Sequence, residues 1–113
     1  MHEFSIAQNI IQVCEAEAKK HNSKSIFKVG LRIGEFTGVV KEALEFAFDI
    51  TKKDSIACNA VFEFEHVPLK TQCTKCKEIY SNVKDYNFQC PSCGEPVEIL
   101  EGRELEIKYI DIA

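Results

Sequence analysis

A chain of 113 residues, 45% of them hydrophobic, can form one compact domain with a small appended module, which argues against disorder. The formal net charge of -4 and a pI of about 5.4 make nucleic acid a poor partner, because its phosphates repel an acidic surface. The apolar runs are shorter than the roughly 20 residues of a membrane span, and no secretory signal is visible, so we expect a cytoplasmic protein without membrane contact.

The amino-terminal segment predicts an amphipathic helix over residues 4–20. Its apolar side chains recur at helical spacing, and Ser5 with Gln8 matches a capping box that begins the helix at Ser5. Residues 1–4 are then expected to form a short arm ahead of the helix. The side chains expected on its buried face are Ala7, Ile10, Ile11, Cys14 and Ala18.

A strand and a second helix are predicted next. The sequence IFKVGLRIG alternates, which is typical of a strand, and a loop from Gly34 to Gly38 follows it. The second helix is expected over about 39–53. The strand should present one apolar face consisting of Phe27, Val29, Leu31 and Ile33. The helix should bury Val40, Ala43, Leu44, Ala47 and Phe48.

Two later strands complete the predicted sheet. AVFEFEHV places Phe62 and Phe64 on one face. RELEIKYIDI alternates until Ile110, where we expect a bulge or the strand end; its apolar face is Leu105, Ile107 and Tyr109. The element order predicts an α+β fold, with two helices on one face of a three-stranded sheet. Residues 1–67 and 101–113 should form this domain, with residues 68–100 as an inserted cysteine-containing module.

The inserted module contains two C-x2-C pairs, CTKC and CPSC, separated by thirteen residues. Each pair can direct two sulfur atoms at one ion, and two facing pairs complete the tetrahedral thiolate shell of a structural zinc site. Four thiolates leave no position for water, so the predicted role of Zn²⁺ is structural. Gly94 follows the second pair, where a positive φ is useful, and Lys77 stands at that place in the first. The predicted zinc ligands are Cys73, Cys76, Cys90 and Cys93.

Other uses of the cysteines and histidines are less consistent with the sequence. Iron in a rubredoxin-like site would use the same thiolates, and a redox dithiol pair is a further alternative. Four lysines balance four acidic residues between positions 68 and 98, which does not favour a nucleic-acid ribbon. Cys14 fits a buried face, Cys58 has no apparent partner, His21 suits a helix end, and His66 is expected to be exposed near the module.

The amino terminus reads Met-His-Glu and offers a different kind of metal site. The amine of Met1 with the peptide nitrogen and Nδ1 of His2 can chelate one ion in fused five- and six-membered rings. Glu3 can add a carboxylate oxygen or its own peptide nitrogen. Planar, nitrogen-rich donor sets suit Ni(II) or Cu(II) rather than tetrahedral zinc. Since many proteins begin Met-His by chance, the residues alone leave open whether this site functions.

Several segments in one order carry a resemblance to a known family: MHEFS, VGLRIGEF, VVKEALEFAFDI, CTKC, CPSC and GRELEIKYIDI. Together they resemble the HypA family of hydrogenase maturation factors over nearly the whole chain. The resemblance implies a nickel metallochaperone that delivers Ni²⁺ to nickel–iron hydrogenase and, in some bacteria, serves urease. It implies His2 as a nickel ligand, Glu3 as the adjacent residue that tunes or completes the site, and the four cysteines as ligands of structural zinc.

The resemblance also implies partners. These are a nickel-binding maturation GTPase, the hydrogenase large subunit and urease accessory proteins. We expect a carrier and not an enzyme, since the sequence contains neither a catalytic triad pattern nor a phosphate-binding glycine loop. A zinc-ribbon interaction module without nickel is the alternative function. Oligomeric state is left open, a homodimer being one of the states considered.

Overall fold

The computed structural model describes residues 2–81 and 88–113, with His2 described by its backbone alone. Within these residues, three strands form one sheet in the order β2-β1-β6 and three form another in the order β4-β3-β5. Two helices with small sheets confirm the predicted α+β fold. The elements are α1 (His2–Lys20), β1 (Ile26–Gly34), a 3-10 turn (Glu35–Thr37), α2 (Lys41–Thr51), β2 (Val61–Val67), β3 (Lys70–Cys73), β4 (Ile79–Ser81), β5 (Val97–Glu101) and β6 (Leu105–Ile112).

The chain divides into two compact units. The helical unit consists of Met1–Arg32, Val39–Glu65 and Glu106–Ala113, and it contains both helices and most of the first sheet. The cysteine unit consists of Ile33–Gly38 and His66–Leu105, and it contains the second sheet with the four paired cysteines. No helix in the described part of the chain is long and apolar enough to cross a membrane.

The helical unit has its own core, built from the predicted apolar faces. All five residues expected on the buried face of α1 are buried, because they recur every three or four positions. On α2, Phe48 is buried and its ring stacks on Phe62 of β2 with centroids 4.0 Å apart. Phe64 lies 6.3 Å from the same ring, which confirms that both β2 phenylalanines face the core.

Helix α1 begins three residues before the predicted start at Ser5. His2, Glu3 and Phe4 are helical, so the expected arm over residues 1–4 is wrong for these three residues, and Met1 lies outside the described residues. A local capping box is worth only about 1 kcal/mol, and contacts elsewhere in the fold can override it. One such contact is made by Glu3, whose side chain meets the start of α2.

Phe27 and Val40, both expected in the core, are exposed, and one of the two alternatives predicted for the last strand is excluded. Phe27 is 56% exposed, while its neighbour Ile26 is buried and donates its amide to the Ile56 carbonyl. Val40 is 53% exposed because it precedes α2 in an extended conformation and does not share the buried face of the helix. β6 continues to Ile112, so the strand does not end at Ile110.

The 3-10 turn belongs to the cysteine unit and is hydrogen-bonded to residues near both ends of the segment that carries the second sheet. The Glu35 carboxylate accepts the amide of Leu69 at 3.0 Å, and the Gly102 carbonyl accepts the amide of Phe36 at 2.7 Å. A Cβ on Gly34 would lie 2.2 Å from the Gly102 backbone, so only glycine fits there. This attachment was not evident in the sequence.

Candidate metal centre

The two C-x2-C pairs bring four sulfur atoms together. All four Sγ atoms lie within 4.8 Å of one another, with Cys73 and Cys93 at 3.4 Å and Cys76 and Cys90 at 3.8 Å. A tetrahedral site with zinc–sulfur bonds of about 2.3 Å requires sulfur–sulfur separations of about 3.8 Å. The cluster therefore fits Zn²⁺, and four thiolates would leave it without an open coordination position.

The two cysteine pairs have the same backbone arrangement. In the first, Lys77 donates its amide to the Cys73 carbonyl at 3.2 Å, and in the second Gly94 donates to the Cys90 carbonyl at 2.8 Å. Cys73 and Cys90 in turn donate their amides to the carbonyls five residues ahead, at 2.9 and 2.7 Å. Each turn is thus closed by two hydrogen bonds, which hold its two sulfur atoms on the same side of the turn. We call these two turns the knuckles.

The first cysteine of each knuckle is buried and surrounded by hydrogen-bond donors. The amides of Cys76 and Lys75 both lie 3.4 Å from the Cys73 Sγ and lower the pKa of this thiol. The Tyr80 hydroxyl lies 3.1 Å from the Cys90 Sγ and is the main reason that the Cys90 pKa falls to about 6. These donors stabilise the thiolates that a metal ion requires.

The second cysteine of each knuckle is exposed, and its pKa is raised instead of lowered. The Glu95 amide favours the Cys93 thiolate, but hydrogen bonding with Cys73, burial and repulsion by the Cys73 charge together raise the Cys93 pKa to about 12. The Cys76 pKa is also raised, because the same kinds of interaction outweigh a favourable bond from the Glu78 amide. A divalent cation must therefore displace protons from Cys76 and Cys93 when it binds.

The remaining described cysteines and histidine side chains are not members of the cluster. Cys14 is fully buried on α1, where burial, and secondly the charge of Glu15, raises its pKa to about 11. Cys58 is exposed. Among the described residues, no second group of three potential ligands converges, and His66 does not belong to the cysteine cluster.

The structure describes only part of the predicted nickel site. Met1 and the His2 side chain lie outside the described residues, while the backbones of His2 and Glu3 begin α1. The Glu3 Oε2 accepts the backbone amide of Val40 at 3.2 Å. Sequence reasoning missed this contact and the Tyr80–Cys90 contact, because both join residues that are distant along the chain.

Comparisons with known proteins indicate one family over nearly the whole chain. Residues 1–112 match the model of a family described as "Hydrogenase/urease nickel incorporation, metallochaperone, hypA". The chain is 36% identical over 113 residues to a hydrogenase maturation factor HypA of Geobacter sulfurreducens, covering 99% of each chain. It is 40% identical over 112 residues to the HypA of Chloroflexus aggregans, covering 98% of each.

Two solved structures share the fold. The solution structure of the Ni metallochaperone HypA from Helicobacter pylori aligns with a TM-score of 0.71 at 24% identity, covering 97% of this chain and 96% of the other. A second solution structure of a HypA protein aligns with a TM-score of 0.76 at 24% identity, covering 100% and 97%. At this identity the likeness concerns the fold.

Proposed function

Because the chain belongs to the HypA family of hydrogenase/urease nickel-incorporation metallochaperones, we propose that it binds Ni²⁺ at its amino terminus and delivers it for maturation of nickel–iron hydrogenase. The observation that carries the proposal is the family match over residues 1–112, which includes both the Met-His-Glu start and the four cysteines. Urease is a second recipient in this proposal. The chain acts as a carrier and performs no catalysis.

The proposed nickel donors are the Met1 amine, the peptide nitrogen and Nδ1 of His2, and one atom of Glu3. The position of His2 and Glu3 at the start of α1 supports this set, because the first four amides of a helix have no acceptor within the helix. A metal can therefore use these peptide nitrogens without breaking the helical hydrogen-bond ladder. Such planar nitrogen-rich sets suit Ni(II).

The proposed division of labour assigns nickel to residues 1–67 and 101–113 and structural zinc to residues 68–100. The ligands that would hold zinc are Cys73, Cys76, Cys90 and Cys93, and their sulfur separations support this set. When bound, zinc would supply a tetrahedral cross-link between the two knuckles. Nickel exchange would then be confined to the amino terminus, since the thiolate shell has no open position.

The proposed partners are a nickel-binding maturation GTPase, the hydrogenase large subunit and urease accessory proteins, all met in the cytoplasm. The acidic net charge of -4 supports protein partners over nucleic acid. A ligand set at a chain end suits transfer, because an acceptor protein can replace its ligands one at a time.

Nickel titration by calorimetry tests the proposal, using zinc-loaded protein with its natural amino terminus beside His2→Ala. The wild type should bind one Ni²⁺ per chain, while His2→Ala should lose this binding and keep its zinc content and circular dichroism spectrum. Equal nickel binding by the two proteins would refute the site. Absence of nickel binding in the wild type would leave the zinc-ribbon interaction module as the better description.

A further inference from the structure

Helix α2 begins without a capping side chain of its own. Val40 occupies the N-cap position with φ -91° and ψ 116°, and its side chain makes no capping hydrogen bond. In a capping box, an acid three residues later accepts the N-cap amide, but this chain has Ala43 there. Valine is also among the least favourable N-cap residues. An acceptor for the Val40 amide therefore has to come from outside the helix.

Glu3 supplies this acceptor from the first turn of α1. Its Oε2 accepts the Val40 amide at 3.2 Å, although Glu3 lies 37 positions earlier in the chain. The contact reproduces between two helices the bond that a capping-box acid makes within one. The carboxylate also lies at the positive end of the α2 dipole, where a negative charge is favourable.

We propose that Glu3 is a positioning residue of the nickel site, whose carboxylate fastens the first turn of α1 to the start of α2. This inference rests on the proposed nickel function. Since its Oε2 accepts the Val40 amide, the proposal assigns the carboxylate to this contact and not to the metal. Glu3 then sets where the first turn of α1, with the backbone of His2, stands in the fold.

Amide hydrogen exchange on metal-free protein tests the fastening. The reporter is Ile6, whose amide is the first in α1 able to bond to a carbonyl within the helix. Glu3→Ala removes the acceptor and Val40→Pro removes the donor, so each should accelerate exchange at Ile6 by about tenfold. The double variant should show no further increase, because both changes remove the same bond. Additive accelerations, or an unchanged rate in Glu3→Ala, would overturn the proposal.

Two further variants control for a general loss of folding. Glu42→Ala removes an exposed acid from the first turn of α2 without touching the Glu3–Val40 bond, so exchange at Ile6 should stay at the wild-type rate. Glu3→Gln keeps a side-chain oxygen as acceptor and should fall between the wild type and Glu3→Ala. If Glu42→Ala accelerated exchange at Ile6 as much as Glu3→Ala does, the effect would come from charge alone, and the proposed Glu3–Val40 fastening would be rejected.

Visible absorption of the nickel-loaded protein tests whether the Glu3 carboxylate is a ligand of the metal. Glu3→Gln should leave the d–d bands of Ni(II) unchanged and reduce nickel affinity by less than tenfold, since the ligand atoms stay the same. A shift of these bands would make the carboxylate a ligand and overturn the assignment. His2→Ala separates the two proposals: it should lose nickel while exchange at Ile6 is unchanged. If the wild type binds no nickel, the proposed function fails, whereas the exchange results still decide whether Glu3 fastens the helices.

Discussion

Lys77 and Gly94 occupy equivalent places in the two knuckles and share a left-handed backbone, with φ of 65° and 78°. Both donate their amides to the carbonyl of the cysteine four residues earlier. Glycine adopts this conformation freely, whereas a residue with a Cβ pays about 1–2 kcal/mol. The first knuckle therefore has the same geometry as the second but a less suitable residue.

Lys77→Gly should stabilise the zinc-loaded cysteine unit by about 1 kcal/mol, because it removes this backbone strain. Gly94→Ala should destabilise it by a similar amount; no atom lies within 4 Å of the added methyl, so the change is conformational. Guanidinium unfolding at equal zinc content measures both. Lys75→Gly is the matched control, since Lys75 has no positive φ, and it should lower stability. A loss of stability in Lys77→Gly would contradict the strain argument.

Tyr80→Phe should weaken zinc binding by about tenfold, the usual size of a lost hydrogen bond to a metal ligand. The hydroxyl lies 3.1 Å from the Cys90 Sγ and lowers the pKa of this thiol, as a bond donated to the thiolate would. Competition with a chromophoric chelator at pH 7 measures the affinity. Tyr109→Phe serves as the control, because the Tyr109 hydroxyl donates to Glu63 in the helical unit. Identical zinc affinities in wild type and Tyr80→Phe would show that the bond has no influence on the metal.

Removal of zinc should unfold the cysteine unit while α1 and α2 persist. The four cysteines belong to one unit, whereas the helices have a separate buried core around Phe48 and the α1 face. Small metal modules with little apolar surface obtain most of their folding free energy from the ion. After treatment with chelator and reductant, amide exchange in β3 and β5 should become fast and the helical circular dichroism signal should remain. If the exchange protection of β3 and β5 and the helical circular dichroism signal were lost at the same chelator concentration, zinc would stabilise the whole chain.

Local patterns predicted the elements well where burial follows sequence spacing. The apolar face of α1 and the Phe62–Phe64 face of β2 were both correct, because helical and strand periodicities are properties of neighbouring residues. The predicted start of α1 was wrong; its first turn carries a contact between Glu3 and Val40 that no local pattern contains.

The sulfur cluster was predictable for a similar reason. The spacing of two residues within each pair encodes a turn that directs both sulfur atoms to one point. The role of Tyr80 was not predictable, because it depends on register: Tyr80 of β4 pairs with Thr71 of β3, two residues before Cys73. Register between strands is set by the whole unit, so the donor to Cys90 could be identified only in the structure.

Cys14 should make the protein less stable at alkaline pH. Burial raises the pKa of this thiol from 9.0 to about 11, so the unfolded chain loses the proton first as the pH rises. Below pH 9 both states keep the proton and the thiol contributes no pH dependence. Between pH 9 and 11 the native state binds more protons than the unfolded state, so the free energy of unfolding should fall by about 2–3 kcal/mol.

Denaturant unfolding of zinc-loaded protein at pH values of about 8, 9, 10 and 11 measures this slope. Cys14→Ala should be less stable at pH 8, because it leaves a small cavity in the fully buried face of α1. Its stability should nevertheless decline less steeply above pH 9, since the titrating thiol is gone. Cys58→Ala, at an exposed position, should keep the wild-type slope. Parallel curves for wild type and Cys14→Ala would show that this thiol is not the group responsible, and that other titrations govern the alkaline limit.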